Sequence, residues 1–282
     1  MGSGLWPAAL LALLSGALAC AHGFRGPLPD AAKLWDQARA AHRLPESLSA
    51  EAKAFVDAPE NGGRYALEIA VQKPASLRIE ALTPLGDPAV VLIAHEGRFA
   101  LLDLRRNVYY RGPSTPENLS RLLPAPLRDD ELVALLTGGI PDLPGAEPIE
   151  VRNEDGDLRL TLSTVPPGGA GVGGRGAGKG AAASPTALRG YAQEVLLGDD
   201  LRVKEVRREI VGGARPELLW SVRLEDHDGS SGQQVARLLH LSVPARHTEI
   251  DLRLRNVLVG KPPPSRAFAL LAPPGVPVRD LP

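Results

Sequence analysis

The chain has 282 residues, 44% hydrophobic and 23% charged, with 30 Gly and 27 Pro. That suffices for one large domain or two small ones and excludes a disordered polymer. Thirty-two Lys and Arg against 33 Asp and Glu leave a formal charge of -1, which removes the electrostatic drive of non-specific nucleic-acid binding, so no nucleic-acid partner is expected. A single Cys, at position 20, rules out an intramolecular disulfide, a Cys-rich zinc site and a CxxC redox motif.

Cys20 closes the longest apolar run, which begins at Leu5. The run is short for a spanning helix, which needs about 20 residues, and it ends in small side chains as secretory signals do. Ala17-Leu18-Ala19-Cys20 resembles the bacterial lipobox, in which the Cys is acylated and becomes the new N-terminus. Residues 1–19 are therefore expected to be a lipoprotein signal peptide, Cys20 the lipid anchor carrying palmitate-type chains, and residues 20–29 a tether. Attachment to the membrane is by lipid.

Asp30 can cap a helix through about Leu44, in which Leu34, Trp35, Ala38 and Ala41 form an apolar stripe before Pro45. From Ser47 the period becomes two. Tyr65, Leu67, Ile69 and Val71 alternate with more polar residues, and Leu77, Ile79 and Ala81 continue the pattern. The turn Thr83-Pro84-Leu85-Gly86-Asp87-Pro88 leads into two strands, Ala89–Ala94 and Phe99–Leu104, that are apolar on both faces. A strand backed by water is polar on one side, so a further layer must cover these, and helices opening at Thr115 and at Asp129 or Asp130 can supply it.

After Gly138-Gly139 the strands resume over Leu158–Leu162, Tyr191–Leu197, Leu201–Val211, Leu218–Leu224, Val235–Val243 and Ile250–Leu254. Many strands with few helices predict a mainly β, α+β fold or a barrel with helical insertions. Residues 166–183, with eight Gly, read as a flexible insertion, leaving one domain over 30–282.

Gly173–Lys179 matches half of a phosphate-binding loop, but Gly180 stands where Ser or Thr must ligate magnesium, so nucleotide binding is rejected. Six scattered His lack any metal-binding spacing, and no G-x-S-x-G elbow occurs. Asp129-Asp130-Glu131 and Glu225-Asp226-His227-Asp228 read as helix-cap and turn residues. No enzymatic activity, cofactor or metal is expected.

Leu77 to Gly86, Asp87 to Ile93, Tyr110 to Leu123 and Leu127 to Gly138 together resemble the LolB family of outer-membrane lipoprotein acceptors: a strand with an Arg-hydrophobic run, a P-L-G turn, two further strands, and two helices. Leu254-Arg255-Asn256-Val257 and Phe268 to Val276 look more like the closing part of the related periplasmic carrier LolA. The resemblance implies an unclosed antiparallel β-barrel of about eleven strands with helices plugging its mouth, and an apolar cavity for lipoprotein acyl chains. The lining it implies comprises Tyr65, Leu67, Ile69, Leu77, Ile79, Val91, Ile93, Leu119, Leu122, Leu132, Leu135 and Leu136. It also implies that Leu85 engages the membrane, that acyl chains and a periplasmic LolA-type carrier are partners, and that the protein sits on the periplasmic face of the outer membrane. The Gly-rich insertion and the C-terminal extension depart from LolB. The competing expectation is a tethered accessory lipoprotein whose barrel is filled by its own side chains and serves only protein contacts.

Overall fold

In the computed structural model the described residues are 23–41, 44–60, 62–121, 125–165, 189–228 and 235–282. The signal segment, Cys20, Leu122 and the insertion 166–183 lie outside them. Helix α1 (Ala31–Ala41) precedes a six-strand meander: β1 (Ser47–Asp57), β2 (Gly63–Gln72), β3 (Ser76–Leu82), β4 (Pro88–His95), β5 (Arg98–Asp103) and β6 (Val108–Pro113). Two short helices, α2 (Pro116–Leu119) and α3 (Asp129–Leu136), then cross to a second meander. It comprises β7 (Glu147–Glu154), β8 (Asp157–Ser163), β9 (Gly190–Leu197), β10 (Val203–Val211), β11 (Glu217–Asp228), β12 (Val235–Val243) and β13 (Thr248–Val259). A last strand, β14 (Val278–Asp280), follows a 3-10 turn at Ser265–Phe268.

All fourteen strands belong to one sheet, ordered β14-β6-β5-β4-β3-β2-β1-β13-β12-β11-β10-β9-β8-β7. Pairing is antiparallel except for β14, which runs parallel to β6. The meanders join where β13 lies beside β1, leaving β7 and β14 as edges. The unclosed, mainly β expectation holds. Among the described residues the strands number fourteen rather than the eleven or so that the resemblance implies.

The sheet must curl. Helix α3 packs on β2 and β3, and its Glu131 also pairs with Arg208 of β10. β3 and β10 lie six strand steps apart, about 29 Å in a flat sheet at 4.8 Å per step. A helix about 10 Å wide reaches both only if the sheet wraps around it.

Alternation assigns the two faces. In β2 and β3, Leu67, Ile69, Val71, Leu77, Ile79 and Ala81 are buried and face one another in register, Ile69 opposite Ile79. The same face continues through Leu92 and Ala94 of β4 and Phe99 and Leu101 of β5 into one core that also takes in Leu34 of α1, Leu119 of α2 and Val133, Leu135 and Leu136 of α3. Val91, Ile93 and Leu102 point the other way and form a second cluster with Tyr109 and Phe268.

That second cluster explains why β4 and β5 are apolar on both sides. The helices cover only the inner face. The outer face is covered by the C-terminal segment, whose Phe268, Leu270, Ala272 and Val276 pack on it. Phe268 stacks on His95 with ring centroids 5.7 Å apart, Tyr109 Oη donates to the Leu270 carbonyl at 2.8 Å, and Arg78 Nη1 donates to the Ala267 carbonyl at 2.9 Å.

Candidate functional site: a helix-filled interior and an exposed rim

Of the residues expected to line an acyl cavity, Tyr65, Leu67, Ile69, Leu77, Ile79, Leu119, Leu132, Leu135 and Leu136 meet in the inner cluster. Val91 and Ile93 do not, and the expectation for them is corrected: the β3–β4 register sets Leu92 opposite Ile79 and Ala94 opposite Leu77, turning Val91 and Ile93 outward. The interior is occupied. Leu34, Leu48, Leu77, Leu92, Leu119, Leu127, Leu160, Leu197, Leu224 and Trp220 are almost wholly buried.

Within this apolar interior sits a polar latch that local sequence patterns do not reveal. Glu131 accepts from the backbone N–H of Arg128 at 2.9 Å, closing the first turn of α3 as a capping residue. Its other role is tertiary. Arg208 Nη1 lies 3.0 Å from Glu131 Oε1, and both side chains are buried. Arg208 also donates to Gln193 Oε1, Gln193 Nε2 donates to the Pro141 carbonyl at 2.9 Å, and the guanidinium lies over the Trp220 ring, 5.2 Å from its centroid. Burial pushes the Arg208 pKa below the usual arginine value, and Glu131 opposes that shift. A charge placed there is held only by its partners. The latch therefore ties α3, the helix filling the interior, to the far side of the curled sheet.

The meander order places the connections after β1, β3 and β5 on one rim and those after β4 and β7 on the other. On the first rim Thr83 N–H donates to the Asp87 carbonyl and Gly86 N–H to the Thr83 carbonyl, and Gly86 takes φ +92°, a region open to glycine. This tight turn presents Leu85, 91% exposed. On the opposite rim the N-terminal segment is docked: Phe24 N–H donates to the Gly156 carbonyl at 2.6 Å, and Asn153 Nδ2 donates to the Phe24 carbonyl at 3.0 Å.

A cleft of about 450 Å³ lies over β9, β10 and β11, lined by Asp199, Asp200, Arg202, Lys204, Glu205, Arg223, Glu225 and His227 among others. Its lining is largely charged and unsuited to an acyl chain. Among the described residues no group of three or more His, Cys, Asp or Glu is placed to hold a metal, and no helix is long and apolar enough to cross a membrane.

No protein-family model matches the chain, and no curated protein matches it in sequence. Solved structures match in fold. A LolA superfamily protein from Nitrosomonas europaea aligns with TM-score 0.54 and 10% identity, covering 86% of this chain and 99% of that one. A domain assigned to outer-membrane lipoprotein sorting, from Vibrio parahaemolyticus, aligns with TM-score 0.55 and 9% identity over 84% and 95%. A DUF1329 family protein from Desulfovibrio piger aligns with TM-score 0.57 and 12% identity over 86% and 98%. At 9–12% identity these likenesses show a shared fold.

Proposed function

We propose that this chain is a lipoprotein anchored through Cys20 to the periplasmic face of the bacterial outer membrane, and that its inner face receives lipoprotein acyl chains and helps deliver them. The observation that carries this reading is the inner face itself: one apolar surface runs through both meanders and is capped by helices, of which α3 is joined to the far wall by a buried ion pair. Ala21, rather than Asp, follows the Cys, which supports an outer-membrane destination. A LolA-type periplasmic carrier is the donor this reading requires.

Acyl chains enter as α3 withdraws. Burying a 16-carbon chain contributes on the order of 10 kcal/mol at about 0.8 kcal/mol per CH2. When α3 withdraws, both latch charges return to water, which recovers much of their desolvation cost, so cargo can offset the opening of the latch. The accessory-lipoprotein reading is favoured by the near-complete burial of the interior leucines.

Native mass spectrometry of protein purified from membranes, together with displacement of a fluorescent fatty acid, separates the two. Bound acyl chains or saturable probe binding support the carrier reading; a lipid-free protein that binds no probe supports the filled core. Cys20→Ala is expected to release the protein from washed membranes, and retention there would defeat the anchor assignment.

A further inference from the structure

Two neighbouring turns share the Leu85 rim. Leu104 N–H donates to the Ala89 carbonyl at 3.0 Å, clipping the turn after β5 to the start of β4 and so beside the Thr83–Asp87 turn. Leu104 is itself 46% exposed and is followed by Arg105 and Arg106, both exposed. Asp103 Oδ1 accepts from the backbone N–H of both arginines at 3.0 Å, fixing the turn. The Arg106 side chain is 74% exposed and lies 3.7 Å from Asp103, whereas Arg105 has no ion-pair partner among the described residues. The same rim carries acidic groups as well: Asp103, whose carboxylate accepts the N–H groups of its own turn, and the exposed Asp87, Asp57 and Glu60.

A single exposed leucine is ordinary on a protein surface. Two on adjacent turns with a pair of guanidinium groups beside them match what a membrane interface requires, apolar tips for the acyl boundary and forked donors for phosphate. We infer that this rim binds the phosphate headgroups of anionic phospholipids, with Leu85 and Leu104 entering the interface and Arg105 and Arg106 contacting the phosphates. The inference rests on the membrane contact by Leu85 that the resemblance implies and adds the class of lipid recognised. Phe24 docks at the other rim, against Gly156 and Asn153.

The test is co-sedimentation of the chain from Ala21 onward, which retains every strand and helix of the sheet, with vesicles of phosphatidylcholine alone or with one-third phosphatidylglycerol. Wild type is expected to prefer the anionic vesicles and to lose that preference in high salt. Arg105→Gln with Arg106→Gln should lower anionic binding about 30-fold and phosphatidylcholine binding far less. Arg253→Gln with Arg255→Gln, the same charge change at exposed positions on β13, should have little effect. Arg105→Gln alone, at a side chain without an ion-pair partner among the described residues, guards against misfolding of the double variant. Equal binding to both vesicles, or an equal loss in the Arg253 and Arg255 control, overturns the inference. If Leu85→Glu abolishes binding while the Arg105 and Arg106 changes do nothing, the membrane contact stands and the headgroup assignment falls; if wild type sediments with neither vesicle, both fall.

Discussion

Glu131 of α3 and Arg208 of β10 meet at 3.0 Å inside the curled sheet, each under 10% exposed. Removing one partner strands the other in a low-dielectric interior. Glu131→Leu is expected to destabilise the fold by about 3–5 kcal/mol, and Arg208→Met, which leaves Glu131 only a longer ion-pair contact with Arg128 at 3.7 Å, by a similar amount. The double change Glu131→Leu with Arg208→Met should recover most of that loss, because an apolar pair has no charge to solvate. Urea unfolding of the four proteins gives the cycle, and additive losses would show that the two groups do not act as a pair. Under the carrier reading, Glu131→Leu should also raise the on-rate of a fluorescent fatty acid.

Phe268 joins the C-terminal segment to the outer face of β4 and β5, where it packs with Val91, Ile93, Leu102 and Tyr109. Phe268→Ala should cost about 3 kcal/mol. Truncation after Pro264 should expose that cluster and promote self-association, measurable by light scattering. Acyl-probe binding should be unchanged in Phe268→Ala, since the two clusters lie on opposite faces.

The two ends of the Gly-rich insertion are already held together by the β8–β9 ladder, in which Ser163 faces Ala192 and Thr164 N–H donates to the Tyr191 carbonyl at 2.9 Å. Replacing residues 166–183 by a short Gly-Ser link should therefore shift Tm by no more than a few degrees, because loop-closure entropy changes only about 0.6 kcal/mol per doubling of length. A large loss in differential scanning calorimetry would mean that the segment packs or binds.

Burial, reinforced by the Arg202 charge, holds the His227 pKa below 6.5. The unfolded chain therefore takes up a proton near pH 6.5 that the native chain resists. The His227 contribution is complete above that pH and is lost as pH falls through the native value. His227→Gln should flatten the stability profile in this window. Glu154 behaves alike at lower pH: its hydrogen bond to Arg159 holds it below 4.5, so its contribution is present above 4.5 and lost as pH falls through the native value. Because Glu154 is 46% exposed, that contribution should stay below about 1 kcal/mol. A profile unchanged by His227→Gln would remove the assignment.

Local chemistry determined much of the architecture in the sequence. The period-two alternation of Tyr65–Val71 and Leu77–Ala81 appears as β2 and β3, and the Pro and Gly residues of Thr83–Pro88 make the turn that exposes Leu85. Of the capping role read from Asp129-Asp130-Glu131, Glu131 carries it, while the N-cap position itself falls on Arg128. These features depend on neighbours a few residues apart. The double-sided apolarity of β4 and β5 called for a second cover, but only the tertiary structure decides that residues 268–276 provide it. A run such as Ala89–Ala94 reads alike from either face, so inside and outside are set by its pairing with β3, which turns Leu92 inward and Val91 and Ile93 outward. Glu131 meets Arg208 only because the sheet curls, and no local period carries the sum of twist and pairing over six strands.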